Sequence, residues 1–261
     1  METTPPTPEP ASAAPPPTSS LAGRLMNVLA APGDAFEEVK AAGATNANWL
    51  MPAILLILIS WVGAALIFSQ PAIRQQLSEL ADKSIDRMVG QGKLSSDQAE
   101  KARPAAEKMA RLTSEIGAVA GAPMAAFALP FWWGLILWLG GKVLKGNFSY
   151  MKGVEVAGLA NMILVLDAVV RTLLILVTGN VFASPSLALT VKDFDPQNTL
   201  HALCALVNVM LFWVLVVRSI GLARLSGASI GKAALWVFGI WVAYTGALLG
   251  LGAALRAVIP H

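Results

Sequence analysis

Apolar positions in this chain gather into long runs separated by short polar intervals, and neither strand alternation nor a narrow amphipathic stripe describes them. A helix that crosses the hydrocarbon core needs about 20 mainly apolar residues, because each residue advances it about 1.5 Å. Five stretches meet that length: about 49–68, 117–141, 156–177, 200–223 and 233–255. The first has no ionisable side chain between Lys40 and Arg74, and the fifth is also free of charge. The third is interrupted by Asp167 and Arg171, and the fourth continues through Arg218. The pattern predicts an all-α fold, a polytopic transmembrane bundle of five helices.

The intervals carry elements of their own. Residues 1–20 hold Pro, Ser, Thr and Ala with no bulky apolar side chain after Met1, and are expected to be a disordered tail. That stretch lacks the basic segment and apolar run of a secretory signal, so cleavage is not expected. Residues 21–48 read as two short amphipathic helices. In the first, capped by Ser20, Leu21, Leu25, Val28 and Leu29 recur at helical spacing until Pro32 and Gly33 end it. The second starts at Asp34, with Glu37 in capping-box position and Phe36 on its apolar side. Both are too short to span a bilayer; they suit helices lying at the interface, or packed beneath the bundle. Residues 70–114 form the one sizeable polar region and read as an extramembrane helical hairpin, broken by Gly90 and Gly92, with Ser96 and Asp97 capping its second arm.

Composition removes the soluble alternatives. The chain has 261 residues, 56% hydrophobic and 13% charged, and its mean hydropathy is +0.62. A soluble domain carries about 25% charged residues. The formal net charge of +3 comes without any isolated basic block, so nucleic acid is not an expected partner. In the hairpin, eight basic residues alternate with seven acidic ones counted through Glu115, as on a solvated helical surface. Lys142, Lys145 and Lys152 follow the second stretch and Arg218, Arg224 and Lys232 precede the fifth, whereas the loop between the third and fourth holds only Lys192. That bias favours a cytoplasmic N-terminus; the basic hairpin, which then lies outside, pulls the other way.

Asp167 and Arg171 are the ionisable residues placed well inside a span, and at i and i+4 they share a helical face. Unpaired, each would cost about 2.5–3.5 kcal/mol on insertion scales. Together with Asn161 they form a candidate intramembrane polar site, serving either a substrate or proton pathway or as an internal clamp. Asn208, Tyr244 and Thr245 offer hydrogen bonds from other helices. Gly117 with Gly121 and Gly246 with Gly250 have GxxxG spacing and are candidates for helix packing, within the monomer or in a dimer. Pro130 should bend the second span, as an architectural kink or as a gate. Cys204 is the lone cysteine, and His201 and His261 are the two histidines. No HExxH, GxSxG, GxxxxGK[ST] or CxxC occurs. No catalytic residue, cofactor or metal site is expected.

Three segments carry a resemblance: RLMNVLAAPGDAFEEVK followed by NWLMP, then GNFSYMKGVEVAGLAN, and finally FWVLVVRSIGLARLSGASIGKAAL. Over about Leu21 to Ile259 the chain resembles a bacterial member of the Yip1 family (the Yip1/Yif1 domain) of five-span membrane proteins. The resemblance implies a cytoplasmic N-terminus, a C-terminus on the far side of the cytoplasmic membrane, and no catalytic residues. Eukaryotic relatives act as membrane-traffic factors that contact small GTPases and one another; no GTPase partner is carried over here. The expected function is that of a non-enzymatic scaffold or membrane-organising component, with membrane lipids, other membrane proteins or second copies of itself as partners. The alternative is a small transporter or channel subunit using the Asp167/Arg171 pair.

Overall fold

The computed structural model describes residues 19–258 apart from Asp193 and Gln197. The tail expectation for residues 1–18, and His261, lie outside the described residues. Among the described residues ten α-helices follow one another: α1 Leu21–Ala30, α2 Pro32–Ala41, α3 Ala47–Ser69, α4 Pro71–Gly90, α5 Ser96–Val143, α6 Tyr150–Ala160, α7 Met162–Thr178, α8 Thr199–Leu206, α9 Val209–Ser226 and α10 Ile230–Val258. A 3-10 turn, Leu187–Thr190, precedes α8. Among the described residues five segments are long and apolar enough to cross a membrane: α3, α5, α6 running into α7, α9, and Ile230–Gly252 of α10. The fold is an all-α polytopic bundle, with no strand among the described residues beyond one isolated bridge between Ser186 and Asn208.

Local chemistry moves several boundaries. The third spanning segment begins at Tyr150 rather than near Val156, because the Ser149 hydroxyl caps it by accepting from the Lys152 amide. It breaks at Asn161, where α7 starts. The fourth segment begins at Val209, since the Asn208 side chain accepts from the Met210 and Leu211 amides; Thr199–Leu206 is a separate helix capped by Asn198. Asn208 is thereby occupied as a cap. α2 starts at Pro32, whose fixed φ suits a first helical turn, so Asp34 lies inside that turn and Glu37 pairs with Arg224 at 3.2 Å. Ser95, not Ser96, completes the capping box of α5 with Gln98.

The main core lies where α1, α2, α3, α5, α6, α7, α9 and the start of α10 converge. Val28, Phe36, Val39, Leu137, Val156, Leu159, Ile163, Leu215 and Leu222 are fully covered there. The residues expected to form an interfacial lipid surface are therefore part of the interior. Leu25, Val28 and Phe36 are buried, and Leu21 and Leu29 pack against the same core. Once neighbouring helices offer a matching apolar surface, an amphipathic face gains more by close packing than by lying on headgroups. The apolar faces of both helices are thus turned to protein.

Close helix approaches occur at other glycines than the expected pairs. Gly134 and Gly153 bring α5 and α6 together; a Cβ on Gly134 would sit 2.9 Å from the Val154 backbone nitrogen, and one on Gly153 2.6 Å from the Gly134 carbonyl oxygen. Gly221 likewise admits Val156 and the Phe36 ring. By contrast, a Cβ on Gly117, Gly121, Gly246 or Gly250 would meet nothing within 4 Å, so these four do not pack helices inside the monomer. Pro130 is buried, and α5 runs through it without interruption.

The two ends of the bundle differ. At one end α1 and α2 are tied to the spans: Lys152 Nζ donates to the Val39 carbonyl at 2.6 Å, and Arg224 reaches Glu37. At the other, α4 and the first half of α5 form the hairpin. Its base rests on a second apolar cluster of Ile73, Leu77, Ile175 and Ala183. Gln76 bonds Asn180 there, and Arg87 reaches Asp195 at 2.9 Å. Leu58, Val62, Met124, Val177, Leu235 and Leu251 remain exposed on the outer surfaces of spanning segments, where lipid would cover them.

Candidate functional site

Burial of charge marks the most constrained polar group of the molecule. Arg24 projects from α1 toward the first turn of α3, and its Nη1 donates to Asn48 Oδ1 at 2.9 Å. Asn48 in turn donates through Nδ2 to Glu155 Oε2 on α6 at 2.6 Å. The other carboxylate oxygen of Glu155 faces Lys152 Nζ at 3.2 Å. Glu38 of α2 closes the outer side, 3.6 Å from Arg24 Nε and accepting from the Ser19 hydroxyl. Asn48 and Glu155 are 1% and 0% exposed, deep enough that loss of any partner leaves a polar atom without water to replace it. Four helices are thus joined by one chain of alternating cation, amide and anion. Its chemistry is that of a clamp, fixing the N-terminal helices onto the third span.

Deeper in the bundle, Arg218 of α9 donates to Asn161 Oδ1 at 2.9 Å and stacks over the Trp133 ring of α5, 4.3 Å from its centroid. Arg218 is 2% exposed, and both of these partners are neutral. The cation rests on an aromatic face and an amide oxygen. Arg218 Nε and Asn161 Nδ2 are buried donors without a hydrogen-bond partner among the described residues. Asn161 lies at the break between α6 and α7, where the helical backbone pairing is interrupted.

The expected polar triad is not brought together. Asp167 and Arg171 form an i, i+4 pair at 3.5 Å, but Asn161 is engaged with Arg218 instead. The Arg171 side chain is 48% exposed and that of Asp167 is 17% exposed, so the pair stands toward the outer surface of α7 rather than in the bundle centre. Asp167 Oδ1 is nonetheless buried without a partner. Tyr244 is exposed, its ring 6.5 Å from that of Trp132. His201 accepts from the Asp195 amide at 3.0 Å and stacks on Phe194, holding a loop. Cys204 is a free thiol. Among the described residues no group of three or more His, Cys, Asp or Glu side chains is placed to hold a metal ion.

Sequence reading missed Arg24, Asn48, Lys152 and Glu155 as a unit, and treated Arg218 as the tail of a span. A signal was present. Glu155 stands at the head of a run of small and apolar residues, VEVAGLA, and Arg218 is embedded in VLVVRSIGLA; a charge so flanked must find a partner or a ring.

Neither a curated protein nor a solved structure gives a significant match to the chain. A family model does: the Yip1 domain matches residues 26–252, which takes in the clamp from Asn48 to Glu155, the Arg218 stack and all five spanning segments. Extending over most of its length and through every element of the bundle, that match makes this chain a member of the Yip1 family of membrane proteins.

Proposed function

We propose that the chain is a non-enzymatic scaffold or membrane-organising component of the cytoplasmic membrane, with its N-terminus cytoplasmic and its C-terminus on the opposite side. The carrying observation is the unbroken run of α5 from Ser96 to Val143, which makes the second arm of the hairpin and the second span one rod. At 1.5 Å per residue the rod is about 72 Å long. Arg103 braces it to α4 by reaching Asp82 at 2.8 Å and Asp86 at 2.6 Å. A hairpin so held presents its outer residues, Met109 and Leu112 among them, at a fixed position above the membrane. At the other end, clamped α1 and α2 turn Met26, Asp34, Glu37 and Lys40 outward. The partners that suit these two surfaces are other membrane proteins or further copies of the chain.

Site-specific photocrosslinking in native membranes tests this reading. A crosslinker placed at Met109 or Met26 is expected to give discrete adducts of reproducible mass, and Arg103→Glu should abolish those from Met109 while sparing those from Met26. Absence of adducts from both surfaces would overturn it. A second reading, a small transporter subunit using Asp167 and Arg171, is favoured by the unpartnered Asp167 Oδ1. A liposome flux that Asp167→Asn removes from a folded protein would establish transport; no flux from the unmodified protein would dismiss it.

A further inference from the structure

At the base of the hairpin, where α4 and α5 diverge from the spanning segments, a cleft of about 370 Å³ opens. Phe68 and Leu77 give its lining an apolar part, and Arg74, Lys108 and Arg111 a cationic one. Arg111 is tied to Glu115 at 2.8 Å, and Arg74 makes one long bond, at 3.3 Å, to the Ser69 carbonyl. Lys108 has no partner among the described residues. With Glu107 and Glu115 included, the lining holds three cations and two anions. Its two least committed cations, Arg74 and Lys108, line it from different helices, α4 and α5.

The position matters as much as the charge. Arg111 lies about 9 Å along α5 from Gly117, where the apolar stretch begins, a height matching the headgroup layer that flanks the hydrocarbon. Below the cleft the same face of α5 continues to Val119, whose carbonyl accepts the Trp61 indole of α3 at 2.9 Å. Trp61, Val62, Leu58 and Val119 are all exposed there. A cationic cleft therefore opens onto an apolar strip along the seam of α3 and α5. A free phosphate would use the cleft alone, whereas an amphiphile with a phosphate head uses both.

We propose that this is a binding site for one glycerophospholipid, its phosphodiester held by Arg74 and Lys108 and its acyl chains descending past Trp61 and Val119.

The full chain, purified from nanodiscs made with equal parts phosphatidylethanolamine, phosphatidylglycerol and diacylglycerol, is read by native mass spectrometry. One phospholipid should stay bound, and diacylglycerol, which lacks the phosphodiester, should be retained at least tenfold less. The double variant R74E/K108E should lose at least tenfold in phospholipid occupancy. K93E/K101E, the same change of charge away from the cleft, should retain it. Equal retention of diacylglycerol and phospholipid by the unmodified protein overturns the proposal, and that comparison needs no variant to fold. Undiminished occupancy in R74E/K108E, or an equal loss in K93E/K101E, also overturns it. A raised Tm on adding inorganic phosphate alone, with no lipid retained, would replace the lipid by a free anion.

Discussion

At the scale of single residues, Glu155 carries more constraint than any residue the hydropathy pattern singles out. It is fully buried between Asn48 and Lys152, so Glu155→Ala strands the Asn48 amide and leaves the Lys152 ammonium with the Val39 and Gly43 carbonyls but no counter-charge. Breaking a buried pair in this way costs about 3 kcal/mol or more. Thermal unfolding in detergent should show a clearly lowered Tm, with Glu155→Gln losing less because it keeps an acceptor for Asn48. An unchanged Tm in Glu155→Ala would mean that the clamp does not hold the fold. Glycines give a second, opposed pair of outcomes. Gly221→Ala pushes a methyl into Val156 and Phe36 and should cost about 1–3 kcal/mol. Gly246→Ala meets open space and should leave monomer stability unchanged or slightly raised. GxxxG spacing in the sequence could not separate these cases, since spacing reports a stripe and not what faces it.

At the scale of elements, the N-terminal pair behaves as part of the membrane domain. Deleting residues 21–40 removes Val28, Phe36 and Val39 from the main core, together with Arg24 and Glu38 from the clamp. The expected outcome is loss of monodisperse protein on size exclusion, whereas Met26→Lys, on the exposed side of α1, should leave the elution profile unchanged. Should the deletion variant stay folded, α1 and α2 would be appendages after all. These helices were legible in the sequence as amphipathic, through Leu25, Val28 and Phe36, but amphipathicity does not say whether lipid or protein receives the apolar face. α3 and α10 were the easiest to read, being free of charge over their apolar cores. The start of α9 was hidden because Leu200 to Leu206 is as apolar as a span, and only the Asn208 cap divides the two. α6 was hidden for the converse reason: Lys152 and Glu155 look like loop charges until Asn48 and the carbonyls of Val39 and Gly43 are seen beside them. Those partners are distant in sequence, and hydropathy is a local quantity.

At the scale of the whole molecule, five crossings fix which loops share a side, whatever the direction of insertion. The hairpin and the segment around Leu187–Thr190 meet through Arg87 and Asp195. The turn around Asn147 lies at the end that holds α2, tied by Lys152. Single cysteines at Ser95, Asn147 and Thr190 in a Cys204→Ala background therefore separate into two classes. All three positions are exposed, so an impermeant thiol reagent reads sidedness rather than burial. Thr190 is a better reporter than Ser186, which is only partly exposed. With the N-terminus cytoplasmic, intact cells should label Ser95→Cys and Thr190→Cys, while Asn147→Cys reacts only after permeabilisation. The reverse pattern would invert the molecule and place its hairpin in the cytoplasm. Labelling that put Ser95 and Thr190 on different sides would remove one of the crossings between them, and with it the five-span bundle on which the clamp, the brace and the lipid cleft all depend.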